Sequence, residues 1–187
     1  MLAAMRAAIR LSLMSLVAAG FSASAANADQ TDPHLDRLFS ELRTSDDPDA
    51  VLEEIGEIWR DSQSDTVDLL YARAEAAMAA GALDLAGALL DHAVGLAPSF
   101  AQAHVLRGAV RLQAQDPAGA IADFSRAIEL EPRQFQARIA LAELMAAAGD
   151  ARGAFDMLQK ALEWNPNDPT ALRMAKRLRE QLDGQEI

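Results

Sequence analysis

Along residues 67–80 the apolar side chains Leu70, Ala74, Ala77 and Met78 recur at steps of three and four, so they fall on one stripe of an α-helix. Gly81 follows, where a left-handed residue closes a helix, and a second helix is predicted over 83–96. The same alternation returns further on. Residues 101–114 predict a helix, Asp116 supplies an N-cap with Pro117 at the first helical position, and 118–130 predict the next helix. Ala148, Gly149 and Asp150 form a turn with its own N-cap. Behind Asp168, residues 169–183 carry Ala171, Leu172, Ala175, Leu178 and Leu182 on one face and Arg173, Lys176, Arg177 and Glu180 around the other. Upstream, helices are predicted over 35–42 and 49–60, joined by Ser45-Asp46-Asp47-Pro48, in which Asp47 caps and Pro48 starts the second.

Prolines 98, 132 and 166 stand 34 residues apart, and laying the chain on that ruler brings other positions into register. Small residues coincide at Ala74, Gly108 and Ala142, at Ala86, Ala120 and Ala154, and at Ala93, Ala127 and Ala161. Between the last two sets lies one large apolar residue per unit: Leu90, Phe124 and Leu158. This resembles the tetratricopeptide repeat, whose pattern puts small residues where two helices approach closely, a bulky one between them and a proline where the second helix ends. The resemblance covers residues 67–168. It departs from the pattern where Leu70, His104 and Phe135 or Ile139 replace the early aromatic and Ala77, Arg111 and Met145 the later tyrosine, which implies thinner packing.

The resemblance implies an all-α, TPR-type α-α superhelix of three repeats, at residues 67–100, 101–134 and 135–168. A hairpin alone leaves an apolar face uncovered, so neighbours must stack, and roughly three units make a stable solenoid. Residues 169–187 then read as a capping helix and tail. Residues 29–66 read as an acidic helical pair, a degenerate repeat that fits the ruler poorly, with Gly56 where a bulky residue belongs and Trp59 where a small one does. The order of the residues from Leu35 onward also resembles a group of small exported bacterial tetratricopeptide proteins.

In repeats of this kind the second, fifth, ninth and twelfth residues of each first helix line the concave surface. Here these are Asp68, Tyr71, Glu75 and Met78, then Gln102, Val105, Ala109 and Leu112, then Gln136, Ile139, Glu143 and Ala146. The resemblance implies a partner-binding groove formed by Tyr71, Glu75, Met78, Val105, Ala109, Leu112, Ile139 and Glu143. Chaperone-binding members clamp a carboxylate with Lys, Asn and Arg at such places, and Tyr71, Glu75 and Val105 are unsuited to that. An apolar floor edged by Glu75 and Glu143 suits an extended or helical protein segment with a basic flank. The expected function is a protein-interaction or scaffold module of the cell envelope; the alternative is a structural component that self-associates by repeat stacking.

The first residues change where this would happen. Arg6 and Arg10 precede an apolar run over 11–21 and then small residues, the form of a secretory signal, with Ala-x-Ala sites ending at Ala25 and Ala28. The expectation is a signal segment over 1–28 and a periplasmic or secreted product with no integral span, since a dozen apolar residues fall short of the roughly 20 a bilayer needs.

Charge narrows the partner. The 187 residues carry a formal charge of -11, with no basic stripe, which excludes a nucleic-acid ligand. The negative field is concentrated upstream, where residues 29–66 hold twelve acids against three arginines. The chain has no cysteine, so disulfides and thiolate chemistry are excluded.

The residues supply no catalytic constellation, and the chain is read as a non-enzyme without cofactor or metal. His34, His92 and His104 make no ligand spacing, and Pro48 breaks the run of Asp46, Asp47 and Asp49 that calcium would require. Glu53, Glu54 and Glu57 are read as a solvated face with Arg60 beside it, and no phosphate loop or nucleophile motif is present.

Overall fold

The computed structural model describes residues 32–184; the expected signal segment and both Ala-x-Ala sites lie outside the described residues. Its elements are α1 (His34–Leu42), α2 (Pro48–Arg60), α3 (Asp65–Ala79), α4 (Leu83–Leu96), α5 (Ala101–Gln113), α6 (Pro117–Leu130), α7 (Phe135–Ala147), α8 (Ala151–Leu162) and α9 (Pro169–Asp183). No β-strand occurs among the described residues, and no helix there is long and apolar enough to cross a membrane.

Local chemistry sets most of these boundaries. Asp47, Asp116 and Asp150 each accept a hydrogen bond from the backbone N–H three residues on, at 3.2, 2.9 and 2.8 Å, and Asp168 accepts from Thr170 and Ala171. The turn inside each hairpin is the same device three times. The N–H groups of Ala82, Asp116 and Asp150 reach back to the carbonyls of Ala77, Arg111 and Met145 at 2.8–2.9 Å, around a residue with positive φ. That residue is Gly81 (φ 75°) and Gly149 (φ 87°) in the outer units but Gln115 (φ 63°) in the middle one.

The hairpins α3–α4, α5–α6 and α7–α8 stack in order, α4 on α5, α6 on α7 and α8 on α9. The alanines of the 34-residue ruler lie at the contacts: Ala74, Ala86, Ala93, Ala120, Ala127, Ala142 and Ala154 are fully buried and Ala161 nearly so. Small side chains let the helix axes close until the bulky Leu90, Phe124 and Leu158 fill the remaining space. At Gly108 the approach is close enough that a Cβ there would meet the Phe124 ring at 2.7 Å.

The N-terminal pair α1–α2 precedes the three regular hairpins. Beyond α1, α2 meets α5 and, through Trp59, Phe135 of α7, and does not stack on the adjoining α3 as the later hairpins stack on one another. It folds across the face on which α5 and α7 lie. Leu35, Leu38, Phe39 and Leu42 of α1 and Val51, Ile55 and Trp59 of α2 share one buried cluster with Phe135, Ile139 and residues of α8 and α9. Trp59 packs on Phe135 at 5.8 Å between ring centroids, and Phe39 on Trp164 at 5.6 Å. The mismatch with the ruler explains this placement: an indole at Trp59 cannot enter an alanine-lined contact, but it fills an open cleft between helices.

Candidate functional site

The first helix of each unit, α3, α5 and α7, carries the expected groove positions, and the pair α1–α2 packs on one of them, Ile139. Tyr71, midway along α3, and Ile139, in the first half of α7, are buried, at 3% and 9% exposure. Tyr71 packs against Phe100 at 5.5 Å, and burial together with the nearby Glu75 carboxylate pushes its hydroxyl pKa well up. Val105 is half-buried. One turn further on, Met78, Ala109 and Leu112 are half-buried, and Glu75 and Glu143 are exposed. Of the predicted residues, then, Glu75 and Glu143 face solvent, Met78, Val105, Ala109 and Leu112 are partly accessible, and Tyr71 and Ile139 are packed inside.

Polar contacts fasten the pair in place. Arg133, in the link before α7, donates to Asp36 of α1 at 2.7 Å and to both carboxylate oxygens of the buried Glu131 at 2.9 and 2.7 Å. Its guanidinium also lies 5.7 Å above the Phe39 ring. Burial works against the Arg133 charge, but the hydrogen bonds and charges of Glu131 and Asp36 outweigh it and raise its pKa. At the other end, buried Ser62 donates its N–H to Asp68 at 2.9 Å, which fixes the link from α2 into α3. The fit is imperfect in its polar atoms: among the described residues Trp59 Nε1 and Gln134 Oε1 are buried without a hydrogen-bond partner.

The open part of the face continues onto α9. Glu143 and Ala146 of α7 and Thr170, Arg173, Met174 and Arg177 of α9 line a cleft of about 560 Å³. Arg173 donates to Thr170 Oγ1 at 3.1 Å, and both arginine side chains are exposed. Sequence reasoning assigned these arginines to a solvated cap. The signal that they belong to the face was present, since Pro169 falls 34 residues after Phe135 and the ruler therefore runs on through α9.

A second polar centre lies away from the face. Asp123 of α6, 2% exposed, accepts from Arg107 at 2.7–3.1 Å and from Arg111 at 2.8 Å, and its Oδ1 lies 3.3 Å from His104 Nδ1. The other ring nitrogen of His104 faces the Pro98 carbonyl at 3.2 Å. Burial raises the cost of the Asp123 charge, yet the hydrogen bonds from His104 and Arg107 overcome it and hold the carboxyl below its ordinary pKa. This network locks α5 to α6. Among the described residues no group of three His, Cys, Asp or Glu is placed to hold a metal ion, and His92 sits exposed on α4.

Comparison with known proteins follows the same lines. Residues 111–178 match the family model for the tetratricopeptide repeat. Over 153 residues the chain is 29% identical to a TPR repeat-containing protein of Rhizobium etli, covering 80% of this chain and 75% of that one. Among solved structures it is similar to the first TPR of Spaghetti (RPAP3) bound to the HSP90 peptide SRMEEVD, with a TM-score of 0.61 and 18% identity over 64% of this chain and 95% of that one. It is also similar to the Yersinia enterocolitica type III secretion chaperone SycD in complex with a peptide of the translocator YopD, with a TM-score of 0.56 and 21% identity over 65% of this chain and 92% of that one.

Proposed function

Because the chain is a tetratricopeptide-repeat protein, we propose that it works as a protein-interaction module of the cell envelope, holding a polypeptide segment on the inner face of its stack. The observation that carries this reading is the division of that face. The pair α1–α2 closes the part around Ile139, Tyr71 is packed on Phe100 within the first repeats, and a less buried strip runs from Glu75 and Met78 through Ala109 and Leu112 to Glu143, Ala146 and the two arginines of α9. Two structural neighbours carry peptides, one of HSP90 and one of YopD, which supports a peptide as the occupant. The form of residues 1–28, with Arg6 and Arg10 ahead of an apolar run and then small residues, supports export.

The charges give the segment a direction. Glu75 favours a basic flank toward α3, whereas Arg173 and Arg177, which share a cleft with Glu143, favour an acidic group at the α9 end, with apolar anchors on Met78 and Leu112 between them. The test is retention of a discrete partner from the envelope fraction of the producing cell. Met78→Glu and Arg173→Glu should each abolish retention, while Ile121→Glu, on exposed surface of α6, should leave it intact. Equal loss in all three variants, or retention in all, contradicts the reading.

A further inference from the structure

The two ends of the stack differ in kind. In the second and third repeats, the third residue of the first helix is buried against the preceding hairpin: Ala103 and Ala137 are both 0% exposed. The equivalent residue of the first repeat, Leu69, is 58% exposed, because among the described residues no hairpin packs on that side of α3. The contrast persists along α3, where Ala76 is exposed but its counterpart Val110 is 3% exposed. On α4, Leu85 is 56% exposed, and together with Leu89, Arg73 and Ala76 it lines an apolar cleft of about 510 Å³. A solenoid end normally ends in a polar cap. The helix that precedes this end in sequence, α2, is held on the inner face by Trp59 and by the Ser62–Asp68 bond.

We propose that this bare end of the first repeat pairs with the same end of a second copy of the chain, in a two-fold dimer. Charge supplies the argument for that occupant. Asp65, Leu69 and Arg73 are spaced four apart and so lie on one stripe of α3; both charged groups are exposed, and neither has an ion-pair partner among the described residues. When two such stripes run antiparallel about an axis through Leu69, each Arg73 faces the other copy's Asp65, and the leucines meet between them. The stripe is its own complement. The opposite end differs: on the back of α9 the exposed Leu172 is set among Lys176, Arg179, Glu180 and Asp183, so that end is not the complement of the Asp65–Leu69–Arg73 stripe that a head-to-tail filament would need.

Sedimentation equilibrium of the purified protein over a wide range of concentration tests this. A monomer–dimer equilibrium with no larger species is expected. Leu69→Glu should raise the dissociation constant at least tenfold, about 1.4 kcal/mol, and Leu172→Glu, on the exposed surface of α9, should leave it unchanged. Asp65→Arg and Arg73→Asp should each weaken the pair, and the two together should restore it, an outcome that a folding defect would not produce. Far-ultraviolet circular dichroism checks that every variant keeps its helices. A protein that stays monomeric throughout, grows beyond a dimer, or loses association with Leu172→Glu but not with Leu69→Glu overturns the proposal.

Discussion

The indole of Trp59 on α2 lies 5.8 Å from the ring of Phe135 at the start of α7, the two inclined at 42°. Phe39 extends the contact, 5.7 Å from Trp59 and 5.6 Å from Trp164, so four aromatic rings bind the N-terminal pair to the third repeat. Trp59→Ala removes the ring that joins Phe39 to Phe135. It should lower the unfolding free energy by about 3–5 kcal/mol, read from urea denaturation. A loss below about 1 kcal/mol would mean that α1–α2 does not pack on the inner face as described.

Asp123 is the acid on which α5 and α6 converge, and its role gives a pH dependence. Its pKa is depressed in the folded state, so its contribution is fully present above the unfolded carboxyl value of about 3.9 and is lost as pH falls through the folded value. Asp123→Asn leaves Arg107 and Arg111 facing a neutral group and should cost about 3 kcal/mol at neutral pH. The gap between wild type and variant should hold from neutral pH to about pH 5 and narrow below about pH 4. Denaturation at a series of pH values checks this; a gap that widens in acid contradicts the network.

Three backbone positions separate close packing from conformational strain. Gly108→Ala would drive a Cβ into the Phe124 ring and should destabilise by about 1–3 kcal/mol. Gly87, in mid-helix on α4, has nothing within 4 Å of a built Cβ, so Gly87→Ala should stabilise by up to about 1 kcal/mol. Gln115 occupies the left-handed turn where the other repeats have glycine, and Gln115→Gly should gain about 1 kcal/mol. Thermal denaturation orders the three.

Ala127 is fully exposed to packing and not at all to solvent, with 0% accessibility at the contact inside the second repeat. Ala127→Arg should cost roughly 3 kcal/mol or more, through overpacking combined with a buried charge. An unchanged thermal transition would mean that the 34-residue register is misplaced.

The repeating part of this molecule was legible because its signals are periodic. Ala86, Ala120 and Ala154, with Leu90, Phe124 and Leu158, announce the hairpins before any coordinate is known, and the caps at Asp116, Asp150 and Asp168 announce where helices begin. What was not legible depends on contacts that occur once. Phe39 meets Trp164 across more than half the chain, and nothing local encodes that meeting. The same repeat position is Leu89, Asp123 and Met157 in the three units, so its buried ion pairs leave no periodic trace. The groove residues were found as positions, but which of them stay open depends on where α1–α2 lies, and that is decided by Trp59 and Arg133 in three dimensions.

The central claim is that a polypeptide segment occupies the open strip of the inner face, and site-specific photo-crosslinking in the producing cell tests it most directly. A photoreactive side chain at Met78, Leu112 or Ala146 should give one discrete adduct with the same partner, and the same group at Ile121 or Ala88, exposed on α6 and α4, should give none. Adducts of equal yield from both sets, or from the α6 and α4 positions alone, would contradict the account.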